Sequence, residues 1–326
     1  MLTMPHFALS QIDNVGTSAA NFLKIGMGAR AQSMGGSYVA QADEVTALYW
    51  NPAGIVNIKG REVNFTQIDW IADINLSFLG GVVSMGEAGS IGIGITYLSM
   101  GDMKVTNWEN PEGTGETFEA YDMAIGLAYA RTISEKFSIG MQLKYIQETI
   151  SQSSANAFAV DVGVQYQTGF KGLKLGMALS NFGTEMQLSG RDLSVRTDPY
   201  NTVGSNPDDV DANLETVSWP LPITIRIGAS LDIVKTEAFR FTGNLDFYDP
   251  RDVDQTWCAG AELALLKEVV FLRAGINNYH ENELKPSFGG GIKYNFDQTY
   301  GIIIDYAYSD LGRLVNANRF SLALTF

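Results

Sequence analysis

Tyr121-Asp122-Met123-Ala124-Ile125-Gly126-Leu127-Ala128-Tyr129 alternates large apolar side chains with small or charged ones at a period of two. Strand side chains point to opposite faces in alternation. Tyr121, Met123, Ile125, Leu127 and Tyr129 therefore share a greasy face, while Asp122, Ala124, Gly126 and Ala128 share the other. The tyrosines that bracket the greasy face are roughly 26 Å apart along a strand, or ~19 Å of depth at a tilt of about 45°. That is near the height of the apolar band of a bilayer. Phe137 with Tyr145 and Phe158 with Tyr166 repeat the bracketing. Phe320 to Phe326 alternates in the same way and stops on an aromatic, which reads as a strand that closes an outer-membrane barrel.

Outward from this stretch the pattern recurs at roughly 62–70, 72–84, 90–100, 118–131, 137–150, 156–167 and 172–182. After a long polar loop it resumes at 219–232, 238–248, 255–265, 268–277, 286–296, 299–309 and 317–326. These segments predict about fourteen strands, an even number as single-chain bacterial barrels require. The faces opposite the apolar stripes carry ions in mid-strand: Lys144, Asp161, Arg226, Arg240, Asp246, Glu262, Arg273, Asp305 and Arg319. In a barrel they line a wet or plugged lumen; in a soluble β-sandwich they would form the solvated outer face. The regularity of the segments, with no helical stretch long enough to cap a sheet, favours the barrel. Links are short at Met85 to Gly89 and Thr132 to Lys136, and long at 103–117 and 181–218. The long ones read as extracellular loops.

Composition agrees. Of 326 residues, 45% are hydrophobic, yet no stretch approaches the ~18 consecutive apolar residues of a spanning helix. Many of the 34 glycines fall inside strand-like runs, where a small residue suits a crowded lumen or a bend. A net charge of −14 argues against nucleic acid as a partner. Cys258, the single cysteine, predicts a small packed lumenal residue, and it allows no internal disulfide. Met1 to His6 lacks a basic n-region and a long apolar h-region, so the chain reads as a mature or truncated form of an exported protein.

Chemistry-bearing motifs are few. Asp209, Asp211 and Asn213 have the opening spacing of a calcium loop, but Leu214 and Pro220 stand where Gly and Glu are needed, so a solvated acidic loop is expected. His6 and His280 lie in no recognisable catalytic or metal-ligand setting. The expectation is a protein that is not an enzyme and that carries no cofactor or metal.

Residues 1–60 do not share the alternation. They contain Gly26-Met27-Gly28-Ala29-Arg30-Ala31, Met34-Gly35-Gly36, Ala42-Asp43-Glu44 and Trp50-Asn51-Pro52-Ala53-Gly54, and 38–49 could form a short amphipathic helix. Such glycine density suits close approach of backbones, as in a plug packed inside a barrel. This run resembles the PorV/PorQ family of outer-membrane proteins, itself similar to FadL-type fatty-acid transporters. The resemblance implies a FadL-like barrel over 61–326 with an N-terminal hatch over 1–60 in its lumen. Asn51, Pro52 and Ala53 would belong to the hatch, or would merely turn the chain into the first strand, Pro52 setting the bend. It further implies a non-catalytic protein in outer-membrane lipid that binds secreted cargo or other components of a type IX secretion machinery through loops 103–117 and 181–218. The alternative is a FadL-like transporter of hydrophobic small molecules such as long-chain fatty acids. The polar inward set disfavours a long acyl-chain tunnel.

Overall fold

In a computed structural model, described for residues 16–197, 210–278, 284–297, 300–312 and 316–326, fourteen strands join in chain order into one closed antiparallel wall. The first seven are β1 (Arg61–Asp69), β2 (Asn75–Ser84), β3 (Ser90–Lys104), β4 (Thr117–Ser134), β5 (Phe137–Ile150), β6 (Ser153–Gln167) and β7 (Lys174–Gly183). Three short strands follow within the long loop: β8 (Ser189–Gly190), β9 (Ser194–Thr197) and β10 (Val210–Asn213). The wall resumes with β11 (Thr224–Lys235), β12 (Phe239–Pro250), β13 (Thr256–Leu265), β14 (Val270–Asn277), β15 (Lys285–Asn295), β16 (Gly301–Asp310) and β17 (Asn316–Thr325). β7 pairs directly with β11, so the short strands are outside the barrel count.

Closure comes from β1 against β17, in register from Glu62↔Thr325 to Asp69↔Asn318. Arg61 N–H donates to the Phe326 carbonyl at 2.7 Å and receives the return bond at 2.9 Å. A closed wall has no unpaired edge, which a bilayer core demands. The alternation falls as the sequence predicts. Ile91, Ile93, Ile95, Leu127, Tyr129 and Leu143 are exposed on the outer surface, while Gly92, Gly94, Ala124, Ala128 and Lys144 are buried. No helix among the described residues is long and apolar enough to cross a membrane.

Boundaries differ from expectation for local reasons. β3 and β4 run further outward, because a bulge between Ser99 and Asp102 lets pairing resume at Asp102↔Glu119. β11 starts at Thr224, not 219: Pro220 and Pro222 cannot donate to a ladder, and Trp219 instead bridges to Met186. Long connections at 105–116 and 184–223 lie at the end opposite residue 326, the extracellular end of such barrels. The β5–β6 link, on that same end, is only 151–152.

Residues 19–58 run along the inner face of the wall and are largely buried. Their helices are short: α1 (Ala29–Ser33) and α2 (Ala47–Trp50), with 3-10 turns at Asn21–Lys24 and Pro52–Asn57. The helix expected over 38–49 is confined to α2. The Tyr38 and Val39 N–H groups donate to the Asp246 carboxylate at 2.7 and 2.8 Å, so the chain follows the wall instead of coiling.

Candidate functional site

Glycines on successive strands face inward where the N-terminal segment lies against the wall. A Cβ on Gly140 of β5 would sit 2.4 Å from Pro52 C and Ala53 N. On Gly176 of β7 it would sit 2.5 Å from the Val39 carbonyl oxygen, and on Gly275 of β14 it would sit 2.1 Å from Met34 C. Gly163, Gly228 and Gly260 contact the same segment at Asn51, Val39 and Met34. Backbone therefore touches backbone around much of the wall, which a side chain at those positions would prevent. The segment's own glycines meet the same demand. Gly28 and Gly35 have φ of +83° and +70°, and Gly35 lies against the backbone of Ile276. Gly26 packs on Gln32 and Trp50, and Gly54 on the Ala42 carbonyl. Gly36 also has positive φ.

The Trp-Asn-Pro-Ala-Gly run is a tie rather than a simple bend. Asn51 Nδ2 donates to the Val39 and Val164 carbonyls at 2.9 and 3.0 Å, while its Oδ1 accepts the Ala53 N–H at 3.1 Å. One side chain thus joins two parts of the segment to β6 and caps the 3-10 turn that Pro52 begins. Trp50 Nε1 donates to the Met27 carbonyl at 2.8 Å.

All nine ions read from the strands point inward, and six of them (Arg226, Arg240, Asp246, Glu262, Arg273 and Asp305) contact the N-terminal segment or join the network around Glu262. Glu262, fully buried on β13, is the hub. It accepts from Arg273 Nε at 2.8 Å, Arg30 Nε at 3.0 Å, Arg240 Nη2 at 3.1 Å and Gln41 Nε2 at 3.2 Å. Arg273 reaches on to Asp305 at 2.6 Å, and Arg30 to Asp43 at 2.6 Å. Charges this deep persist only when paired and hydrogen-bonded, as here. Arg226 lies 4.8 to 5.2 Å from the rings of Tyr248, Trp50 and Tyr49. The other three stand apart: Lys144 pairs with Asp161 at 2.8 Å, and Arg319 Nη1 donates to Ser309 at 3.0 Å.

Two carboxyl groups outside the spanning strands have shifted acidities. Burial raises the Glu44 carboxyl above its ordinary range, opposed by Arg30 and by the Thr46 hydroxyl. Asp252, in the β12–β13 loop, loses solvent, but hydrogen bonds from Lys24 and Ser18 and the Lys24 charge outweigh that and hold its carboxyl below the ordinary range. Lys24 Nζ is 2.8 Å from Asp252, pinning the segment at the extracellular rim.

The lumen beside the segment retains a cavity of only about 30 Å³, near Leu23, Leu48, Tyr49 and Lys144. A larger cavity of about 560 Å³ lies at the extracellular end, between β3–β6 and the 184–223 loop. The strand alternation did not reveal it, because loop residues form one wall. Cys258 is buried on β13 and, as the single cysteine, forms no internal disulfide. Among the described residues no group of three or more His, Cys, Asp or Glu could hold a metal. His6, His280 and Asp209 lie outside the described residues, as do the loop residues 198–208.

Solved structures share the fold at low identity. "CymD monoaromatic hydrocarbon channel" superposes with a TM-score of 0.59 at 13% identity, covering 93% of this chain and 98% of that one. The Ralstonia pickettii toluene transporter TbuX gives 0.56 at 12%, covering 92% and 97%. A Pseudomonas aeruginosa FadL homologue gives 0.51 at 12%, covering 92% and 98%. No curated protein matches the sequence. The pattern described as "Type IX secretion system protein PorV" matches residues 8–192, which hold the whole glycine-rich segment and the strands it contacts through Asn51. This outer-membrane β-barrel therefore belongs to the PorV family.

Proposed function

We propose that this chain is a non-enzymatic outer-membrane protein that binds secreted proteins or other components of a type IX secretion machinery. In this reading residues up to 60 act as a plug, and the loops 105–116 and 184–223 meet the partner. The observation that carries it is the packed lumen: beside the ion-paired segment the cavity near Leu23 and Lys144 holds only about 30 Å³, which favours partners that bind outside. Trp108, fully exposed at the tip of the shorter loop, and the exposed Val217 and Trp219 are suited to an interface.

The test is co-purification of tagged full-length protein in mild detergent. A secretion component or cargo tail should accompany it, and deletion of 187–215 should release that partner without loss of heat-modifiable gel mobility. A partner retained by the deletion variant overturns the assignment to this loop.

A second reading, passage of hydrophobic small molecules, is favoured by one observation, the apolar extracellular cavity of about 560 Å³. Amphiphile found by lipid extraction of the purified protein, with no protein partner, would favour it over the first.

A further inference from the structure

The extracellular cavity, at about 560 Å³, has the volume of a small-molecule site. Its walls are soft and apolar, with Met100, Met103, Phe118, Met186 and Trp219 prominent. Two carboxylates, Asp122 and Glu148, interrupt them, and no Lys, Arg or His lines the cavity among the described residues. The two acids are directly opposed across β4 and β5, and both point inward. Elsewhere in the lumen the inward acids Asp161, Glu262 and Asp305 each have a basic partner, while Asp246 and Glu62 are held by backbone N–H groups of the N-terminal segment. Glu148 accepts the Ala20 backbone N–H, Asp122 faces Glu148, and neither has a basic partner among the described residues.

Like charges directly opposed destabilise a sheet, and partial burial raises that cost. An acid pair kept in an apolar cavity with no counter-charge among the described residues is complementary to a cation that arrives with an apolar body. A carboxylate-headed amphiphile would add a third negative charge. An uncharged hydrocarbon would cover both acids and leave them unpaired.

We propose that this cavity binds an organic ammonium amphiphile, its charged head between Asp122 and Glu148 and its apolar body against the methionines and Trp219. The site borders the N-terminal segment at Ala19 and Ala20 and shares Trp219 with the loop offered to a protein partner, but it does not require the protein-binding reading, and it sharpens the second reading by naming a ligand class.

The test uses the full chain in phosphatidylcholine nanodiscs, titrated calorimetrically with octylamine, octanol and octanoate, with empty discs as the blank. Octylamine should bind about tenfold more tightly than octanol, the worth of one charge-assisted contact, and octanoate should bind most weakly. The double variant Asp122→Asn/Glu148→Gln preserves shape and should erase that order. Leu188→Trp, which fills the cavity from the loop side, should weaken octylamine binding while leaving both acids in place. Equal binding of octanol by the unaltered chain overturns the proposal without any variant having to fold. So does an unchanged order in the double variant, or full octylamine binding by the filled cavity. None of these outcomes alters co-purification of a secretion partner, so failure here is distinguishable from failure of the protein-binding reading.

Discussion

Gly275→Ala adds one methyl group at the tightest backbone contact between the N-terminal segment and the wall. The new Cβ would lie 2.1 Å from Met34 C, 2.3 Å from Gly35 N and 2.5 Å from the Met34 carbonyl oxygen. Ordinary contacts of a Cβ begin near 3.4 Å, so one backbone must retreat by roughly 1 Å. Neither flank yields easily: β14 is paired on both sides, and Gly35 is held against Ile276. Overpacking of this kind costs about 1–3 kcal/mol. At the midpoint, and at ~1.4 kcal/mol per tenfold, the displaced form of the segment becomes roughly 30-fold more populated. The barrel itself loses no pairing. Gly81→Ala is the matched control, since its Cβ would meet atoms only at 3.8 and 3.9 Å. Limited proteolysis of residues 26–58 in detergent, with planar-bilayer conductance of the same preparations, reads the displacement. Faster cleavage and openings in Gly275→Ala, absent in Gly81→Ala, are the expected result. Unchanged protection with closed traces would refute the claim that backbone contact seats the segment.

Glu262→Gln removes the carboxylate shared by Arg30, Arg240 and Arg273. Each arginine keeps another acid, Asp43, Glu268 or Asp305, so the loss should fall near the lower end of the ~3–5 kcal/mol typical of a broken buried pair; urea unfolding followed by gel mobility measures it. The Asp252 latch gives a pH dependence with a definite sign. Its carboxyl is lowered in the folded state, so its stabilisation is complete above the ordinary carboxylate range and is lost as pH falls through the lowered value. Proteolysis near Lys24 should accordingly accelerate only in strong acid, and Asp252→Asn should show the fast rate at neutral pH.

How much of this was legible in the sequence follows from the physics of strands. A period of two assigns every wall residue to one face, so the outward Ile91, Leu127 and Leu143 and the inward Lys144, Glu262 and Asp305 could be separated without coordinates. The wall glycines were visible as a class but not by partner. That Gly275 receives Met34 and Gly140 receives Pro52 depends on which strand the segment passes, and periodicity carries no such information. The same limit explains the missing helix at 38–46, where local propensity yielded to Asp246, more than two hundred residues away in the chain. It also explains why Glu262 could be read as lumenal but not as a junction of three arginines.

The sequence alone determined the barrel, its strand number and its two faces, because burial against lipid is a repeating, local demand on every second residue. Only the tertiary structure decided how the interior is filled. There, single long-range contacts between backbone and glycine, and between one carboxylate and three guanidinium groups, fix the arrangement, and such contacts leave no periodic trace in the chain.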